Sequence, residues 1–346
     1  MSKRSSNFEC LRLIAMFMIV LIHANMYLPF YTDGAVYKIQ NGIINGICNT
    51  GVTLFILISG YFGLKFDIRK IVKMECMMIT FSILETVILY FFSPEPLQRA
   101  ALLEQAAKSL LPFITRKYWF YSCYVCLVIF SGFIDKLIEQ LSRRQFGLLI
   151  IGMLIVFSVF PTFFYFEITQ DNGKGLVQML MIYLIGRYIR IHISDEFALN
   201  GKKVFILSMI IVICWAVNGL SHEFPISLGD MVHHLCKDNS ITNIAIAVSV
   251  FLLFMRMNMK SGLVNFAAKY VFAVFALNNT LVTLIFGRYS HSLSHVWQGP
   301  LLALGLLVGC LIIGMVRDLL LRKPDELIAN AVIRIVDSIH RDQSQQ

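Results

Sequence analysis

The chain has 346 residues, 57% of them hydrophobic and only 15% charged, with a mean hydropathy of +0.70. An ordinary soluble domain is about 45–50% apolar and about 25% charged, so the composition excludes a soluble enzyme, a disordered chain and a fibrous repeat, and leaves an integral membrane protein. The net charge of +9 is spread over short loops, with no basic domain carrying interleaved aromatics, and does not point to nucleic acid.

Apolar runs bounded by charges or turn residues predict ten spanning helices, at 11–30, 41–63, 72–92, 118–137, 147–165, 176–192, 203–220, 241–256, 267–286 and 300–321. The fold class is therefore all-α: a polytopic membrane domain over residues 1–323, followed by a tail over 324–346. Lys3 and Arg4 before the apolar stretch Leu13 to Ile22 have the outline of a secretory signal. No small-residue cleavage site follows, since the chain continues His23-Ala24-Asn25-Met26-Tyr27, so the run is expected to stay as the first span. The segment from Pro94 to Lys117, rich in Ala and Leu with charges between, is expected to lie along the outer surface. In the tail, Leu327, Ile328, Ala331, Ile335 and Ile339 share one face, opposite Glu326, Asn330, Arg334 and Asp337, the pattern of an interfacial helix. With the N-terminus inside, the outer loops hold only Lys38, Arg99, Lys108, Arg116, Lys117, Lys174, Lys237 and Arg288, and the other Lys and Arg residues lie inside. That asymmetry places both termini in the cytoplasm. An odd number of spans would put the basic C-terminal cluster on the wrong side.

The eight cysteines are scattered. Cys123 and Cys126 form a CxxC with no second pair, and Cys236 near His233 and His234 lacks a fourth ligand, so no metal is expected. His222, His233, His234, His291 and His295 are expected as solvated loop residues. No internal repeat is visible.

Ionisable groups inside the hydrocarbon are functional candidates by default. Arg12 and His23 lie eleven positions apart; eleven steps of about 100° end about 20° past three full turns, so both share a face, roughly 16.5 Å apart along the axis. A guanidinium near the surface suits phosphate recognition, and a buried imidazole suits proton transfer. The pantetheine arm of coenzyme A is long enough to bridge them. The plainer alternative is a positive-inside anchor and a histidine bonded to a neighbouring helix. Ser59, roughly 24 Å into the second span, lies at the level of Arg12. Ser59 and Gly60, followed by Lys65, Arg69 and Lys70, suggest backbone N–H groups facing an anion; a glycine helix end with basic flanks has the same sequence. Glu85, His23 and Asn278 lie at similar depths in the third, first and ninth spans, roughly 20, 18 and 16.5 Å from the inner side. Glu85 is expected to orient His23, as a carboxylate does for a catalytic histidine; the competing reading has it protonated on a backbone carbonyl. Tyr118 and Trp119, near the outer interface, either stack on a sugar ring or belong to the aromatic belt.

Leu11-Arg12-Leu13-Ile14-Ala15 running on to His23, and Gly51-Val52-Thr53-Leu54-Phe55-Ile56-Leu57-Ile58-Ser59-Gly60-Tyr61-Phe62, resemble the bacterial acyltransferase-3 family, whose first span carries an Arg or Lys, ten residues, then His. Tyr118-Trp119-Phe120 and Tyr183-Leu184-Ile185-Gly186-Arg187-Tyr188-Ile189-Arg190 are similar to its polysaccharide O-acetyltransferase branch, and the likeness covers nearly the whole chain. The resemblance implies a multi-pass protein of the bacterial inner membrane that moves an acyl group, usually acetyl, from acyl-CoA to a hydroxyl of a cell-surface or lipid-linked glycan. It implies His23, with Glu85, as catalytic; Arg12, Ser59, Gly60, Lys65 and Arg69 on acetyl-CoA; and Tyr118, Trp119 and Asn278 near the acceptor. One departure stands out: where the branch often has Val-Tyr-Leu-Ile-His, this chain has Val274-Phe275-Ala276-Leu277-Asn278, and Asn does not titrate as His does. A saccharide transporter or flippase, and a non-catalytic relative, remain as alternatives.

Overall fold

The structure, a computed structural model, describes residues 5–27, 35–92, 99–164, 166–228, 231–233, 235–289, 295 and 297–344, with side chains described except at 35–37, 99–100, 226–228, 231–233 and 340–344. Apolar sequence runs become helices because a spanning segment must satisfy its backbone internally. In chain order these are α1 (Ser6–Asn25), α2 (Ala35–Cys48), α3 (Thr50–Phe62), α4 (Ile68–Phe92), α5 (Arg99–Leu110), α6 (Trp119–Glu139), α7 (Arg143–Leu154) and α8 (Phe160–Phe163). They continue with α9 (Leu176–Tyr188), α10 (Gly201–Glu223), a small antiparallel hairpin of β1 (Ile226–Leu228) and β2 (Met231–His233), α11 (Ile241–Met255), α12 (Gly262–Ala267), α13 (Val271–Tyr289) and α14 (Gln298–Ser344). Pro161 supplies no N–H, and the π-helical turn Ile155–Val159 that joins α7 to α8 absorbs the mismatch.

Among the described residues nine helices are long and apolar enough to cross a membrane, and α11, 15 residues long, stands as the short apolar helix at the eighth predicted position. The architecture is that of an all-α polytopic membrane protein. The first span begins at Ser6, five residues before the predicted start, so Arg12 lies nearly two turns inside α1 rather than at its end.

Leu11, Val20, Leu54, Leu57, Ile58 and Tyr183 are buried where α1, α3 and α9 pack, while Phe133, Phe205, Ile213 and Leu220 face outward, as lipid-facing positions require. Hydrophobicity cannot hold such helices together in lipid, so close backbone approach and buried polar contacts do. A Cβ on Gly60 would overlap the carbonyl oxygen of Tyr183, and one on Gly186 would meet the Leu57 oxygen at 2.6 Å; these two glycines let α3 and α9 touch. On the outer half, Asn41, Asn45 and Asn49 repeat every four residues. The Asn45 amide donates to Asn41 Oδ1 (2.7 Å), Asn41 Nδ2 donates to Glu223 Oε1 (2.5 Å) and meets His222 Nδ1 (3.2 Å), and Asn243 donates to the Asn49 carbonyl (3.1 Å). His222 is therefore held in a polar helix interface rather than solvated in a loop.

The structure also corrects the placement of the segment before the fourth span. Ser109 of α5 donates to the Ser82 carbonyl (3.1 Å) and shares a bond with Thr86 Oγ1 (2.8 Å). Ser82 lies ten residues, roughly 15 Å, below the outer end of α4, so α5 descends beside α4 instead of lying flat. Leu103 and Leu110 of α5, and Leu111 and Ile114 just after it, are exposed, apolar surface that suits lipid; residues 93–98 lie outside the described residues.

Helix α14 continues through Pro324 to Ser344 without a break. Arg317 pairs with Asp325 across the proline and donates to Thr80 Oγ1 (3.1 Å), and Lys73 pairs with Glu326 (3.2 Å). The tail is thus a direct extension of the last span, with Leu327, Ile328, Ile335 and Ile339 exposed along it. All eight cysteines are free thiols. His295 is exposed and stacked on Trp297; His234, His291 and the His233 side chain lie outside the described residues.

Candidate functional site

The site is built where α1, α4, α6 and α13 meet. Asn278 of α13 donates its amide N–H to the Phe275 carbonyl one turn back (2.8 Å), which leaves Oδ1 pointing at His23 Nδ1, 2.5 Å away. An amide oxygen only accepts, so Nδ1 must carry the proton and Nε2 keeps its lone pair. Asn278 fixes one imidazole tautomer. About one turn further out, Tyr27 and Thr283 share a bond of 2.8 Å, which closes the same seam between α1 and α13.

Glu85 is not the partner of His23. Its carboxylate accepts from Tyr118 Oη (2.6 Å) and Thr280 Oγ1 and pairs with Lys117 (3.2 Å); among the described residues no hydrogen bond joins it to His23. In place of the backbone carbonyl of the competing reading, a buried ammonium faces it. Lys117 is 9% exposed and also donates to Ser109 Oγ (3.0 Å) and the Ser82 carbonyl (3.3 Å). The descent of α5 carries this lysine from the expected outer loop down to Glu85. Tyr118 follows it to the level of Glu85, seven residues, roughly 10 Å, from the end of α4. Its ring packs on Phe275 at 5.9 Å, and the half-buried Trp119 meets Phe120 edge-on at 6.0 Å.

Toward the inner side, Arg12 pairs with Glu9 at 2.7 Å, with the glutamate side chain only 6% exposed. The Tyr124 hydroxyl lies close to both Ser59 and Arg12, which puts Arg12 and Ser59 near one level. Ser59 gives its proton to the Phe55 carbonyl (3.0 Å), and Gly60 is consumed by the contact with Tyr183. Moreover α3 ends here, and a helix C-terminus presents carbonyls rather than N–H groups. Neither residue forms an anion cradle. Lys65 and Arg69 stand exposed on the short link to α4 and its first turn. Arg12 and His23 thus turn to different neighbours, and Met16 and Ile19, between them on the stripe, are buried. What joins the two levels is a wall of rings, half-buried except for the buried Phe120: Tyr124 against Phe272 (6.4 Å), Phe120 against Phe275 (5.2 Å), and Tyr118 above.

Sequence reasoning missed Glu9, Lys117 and Thr280 as members of this region, and also Glu75, which accepts from Tyr121 Oη at 2.5 Å. For Glu75 and Glu9 the signal was present, since each is a carboxylate in or beside an apolar run.

The model of the acyltransferase domain family matches residues 5–316. No curated protein and no solved structure matches the chain. The match takes in every helix that builds the site, from α1 to the membrane part of α14, and the chain belongs to the acyltransferase-3 family, as a membrane acyltransferase.

Proposed function

We propose that this acyltransferase moves an acyl group, acetyl in the simplest case, from acyl-CoA to a hydroxyl of a cell-surface or lipid-linked glycan in a bacterial inner membrane. The observation that carries the reading is the single tautomer that Asn278 imposes on His23. With Nε2 unprotonated, His23 takes the proton from an acceptor hydroxyl as the oxygen attacks the thioester carbonyl. The C–S bond breaks as the C–O bond forms, and the imidazolium returns the proton to the departing CoA sulfur. No net proton change remains. The thioester enters from the inner side past Arg12, and its arm follows the rings of Tyr124, Phe272 and Phe275 to His23. Tyr118, fixed by Glu85, lies beside the acceptor.

The test is CoA release from labelled acetyl-CoA by the purified chain in liposomes, with and without extracted membrane glycan. Release and label transfer that need both partners support the reading; the absence of release with the acceptor present rejects it in favour of transport or a non-catalytic role.

A further inference from the structure

At the inner ends of α1, α3, α9 and α11 lies a cavity of about 930 Å³, within the range of about 300–1,000 Å³ that small-ligand sites occupy. Its lining includes Arg187, Arg190 and Lys260 and no carboxylate. Arg187 is partly neutralised by Asp135 at 3.2 Å. Arg190 and Lys260 have no carboxylate within ion-pair distance among the described residues, and Arg190 keeps only long contacts, to Tyr61 Oη (3.5 Å) and Ser194 Oγ (3.4 Å). Its guanidinium lies over the Tyr61 ring at 5.5 Å; Phe62 meets both Tyr61 and Phe8 edge-on, and Phe8 lies tilted against Tyr61. The opposite wall is tied down as well: Ser261 N–H donates to Ser6 Oγ (3.0 Å), and Asn7 donates to the Phe254 carbonyl (2.7 Å). The cavity is therefore preformed, with Arg190 seated against the aromatic cluster and Lys260 supplied by the segment between α11 and α12.

We infer that this cavity, rather than the exposed Lys65 and Arg69, holds the phosphates of an adenine nucleotide, the head of the acyl-CoA donor. The assignment rests on the donor proposed above. Guanidinium and ammonium groups supply charge-assisted bonds to phosphate, and aromatic rings supply a stacking surface for the base. The first turn of α1, which forms part of the wall, leads directly to Arg12 and so puts the head at the inner end of the path to His23.

The experiment titrates adenosine 3′,5′-bisphosphate into the full chain in zwitterionic-lipid nanodiscs, read by calorimetry. Binding is expected, and Arg190→Gln and Lys260→Ala are each expected to weaken it about tenfold; Lys260 is exposed in a loop, so its variant folds. His23→Ala is expected to bind like the parent. Three results would overturn the assignment: binding untouched by both cavity variants, equal competition by inorganic phosphate alone, or displacement by anionic lipid built into the nanodiscs, which would make this a headgroup site. If His23→Ala transferred acyl groups normally while bisphosphate binding still required Arg190 and Lys260, the base would fall and the nucleotide site would stand.

Discussion

Asn278 lies against His23 Nδ1, and that contact gives it a defined task. Asn278→Ala removes the acceptor that selects the Nδ1–H tautomer. Turnover is expected to fall about 10–100-fold, the usual cost of losing an orienting partner, with little change in donor KM. Asn278→Asp puts a negative charge beside the imidazole, which favours the protonated ring. The base is then neutral only at higher pH, so the acid limb of the rate profile moves to higher pH; an unmoved limb would show that His23 is not the group titrating. The Glu85–Lys117 pair makes a separate claim. Breaking a buried pair from one side leaves an uncompensated charge at a cost of about 3–5 kcal/mol, so Glu85→Gln and Lys117→Met are each expected to destabilise strongly in unfolding experiments, and the double variant by much less than their sum. Depth arithmetic on the sequence brought His23 and Asn278 together, because helical rise is the same in every helix. It misassigned Glu85 because its true partner, Lys117, reaches that depth only through a segment whose insertion no periodicity announces.

At the scale of elements, Gly60 separates a packing role from a binding role. Gly60→Ala forces α3 away from α9 at a cost of about 1–3 kcal/mol, so thermal unfolding should occur at lower temperature; a variant that kept its melting point but lost donor affinity would restore the anion-cradle reading. The outer loops dock through Gly173 (φ 80°), whose added Cβ would lie 2.5 Å from the Asn239 nitrogen, and through the adjacent Asp238. Burial pushes the Asp238 carboxyl up to about 7, with Lys174 opposing and Asp171 adding to the effect. The folded state therefore holds this proton more tightly than the unfolded chain, so its contribution to stability is full below pH 4 and is lost as pH rises toward 7. Asp238→Asn should unfold at a higher temperature than the parent at pH 8, with the gap narrowing as pH falls; a gap independent of pH would contradict this. The ten apolar runs were legible because length and hydropathy alone decide them, whereas the descent of α5 depends on Ser109, Thr86 and Lys117 finding polar partners, which no single run encodes. The regular spacing of Asn41, Asn45 and Asn49 was legible in principle as a polar interface in the second span.

Across the whole molecule, the inner cavity, Arg12 and the base of the aromatic wall all lie toward one end of the helix bundle. His23 and Asn278 stand further along the helices, so under the proposed function the end that admits the charged donor is separate from the level at which its thioester reacts. The family match secures an acyltransferase; the chemistry assigned here depends on His23 as the base. The decisive measurement is the rate of acetyl transfer by His23→Ala against the parent chain, at equal amounts of folded protein in the same lipid. General-base catalysis is worth about 10²–10⁴-fold, so a loss of at least about a hundredfold is expected, and a rate within about twofold of the parent would contradict the account.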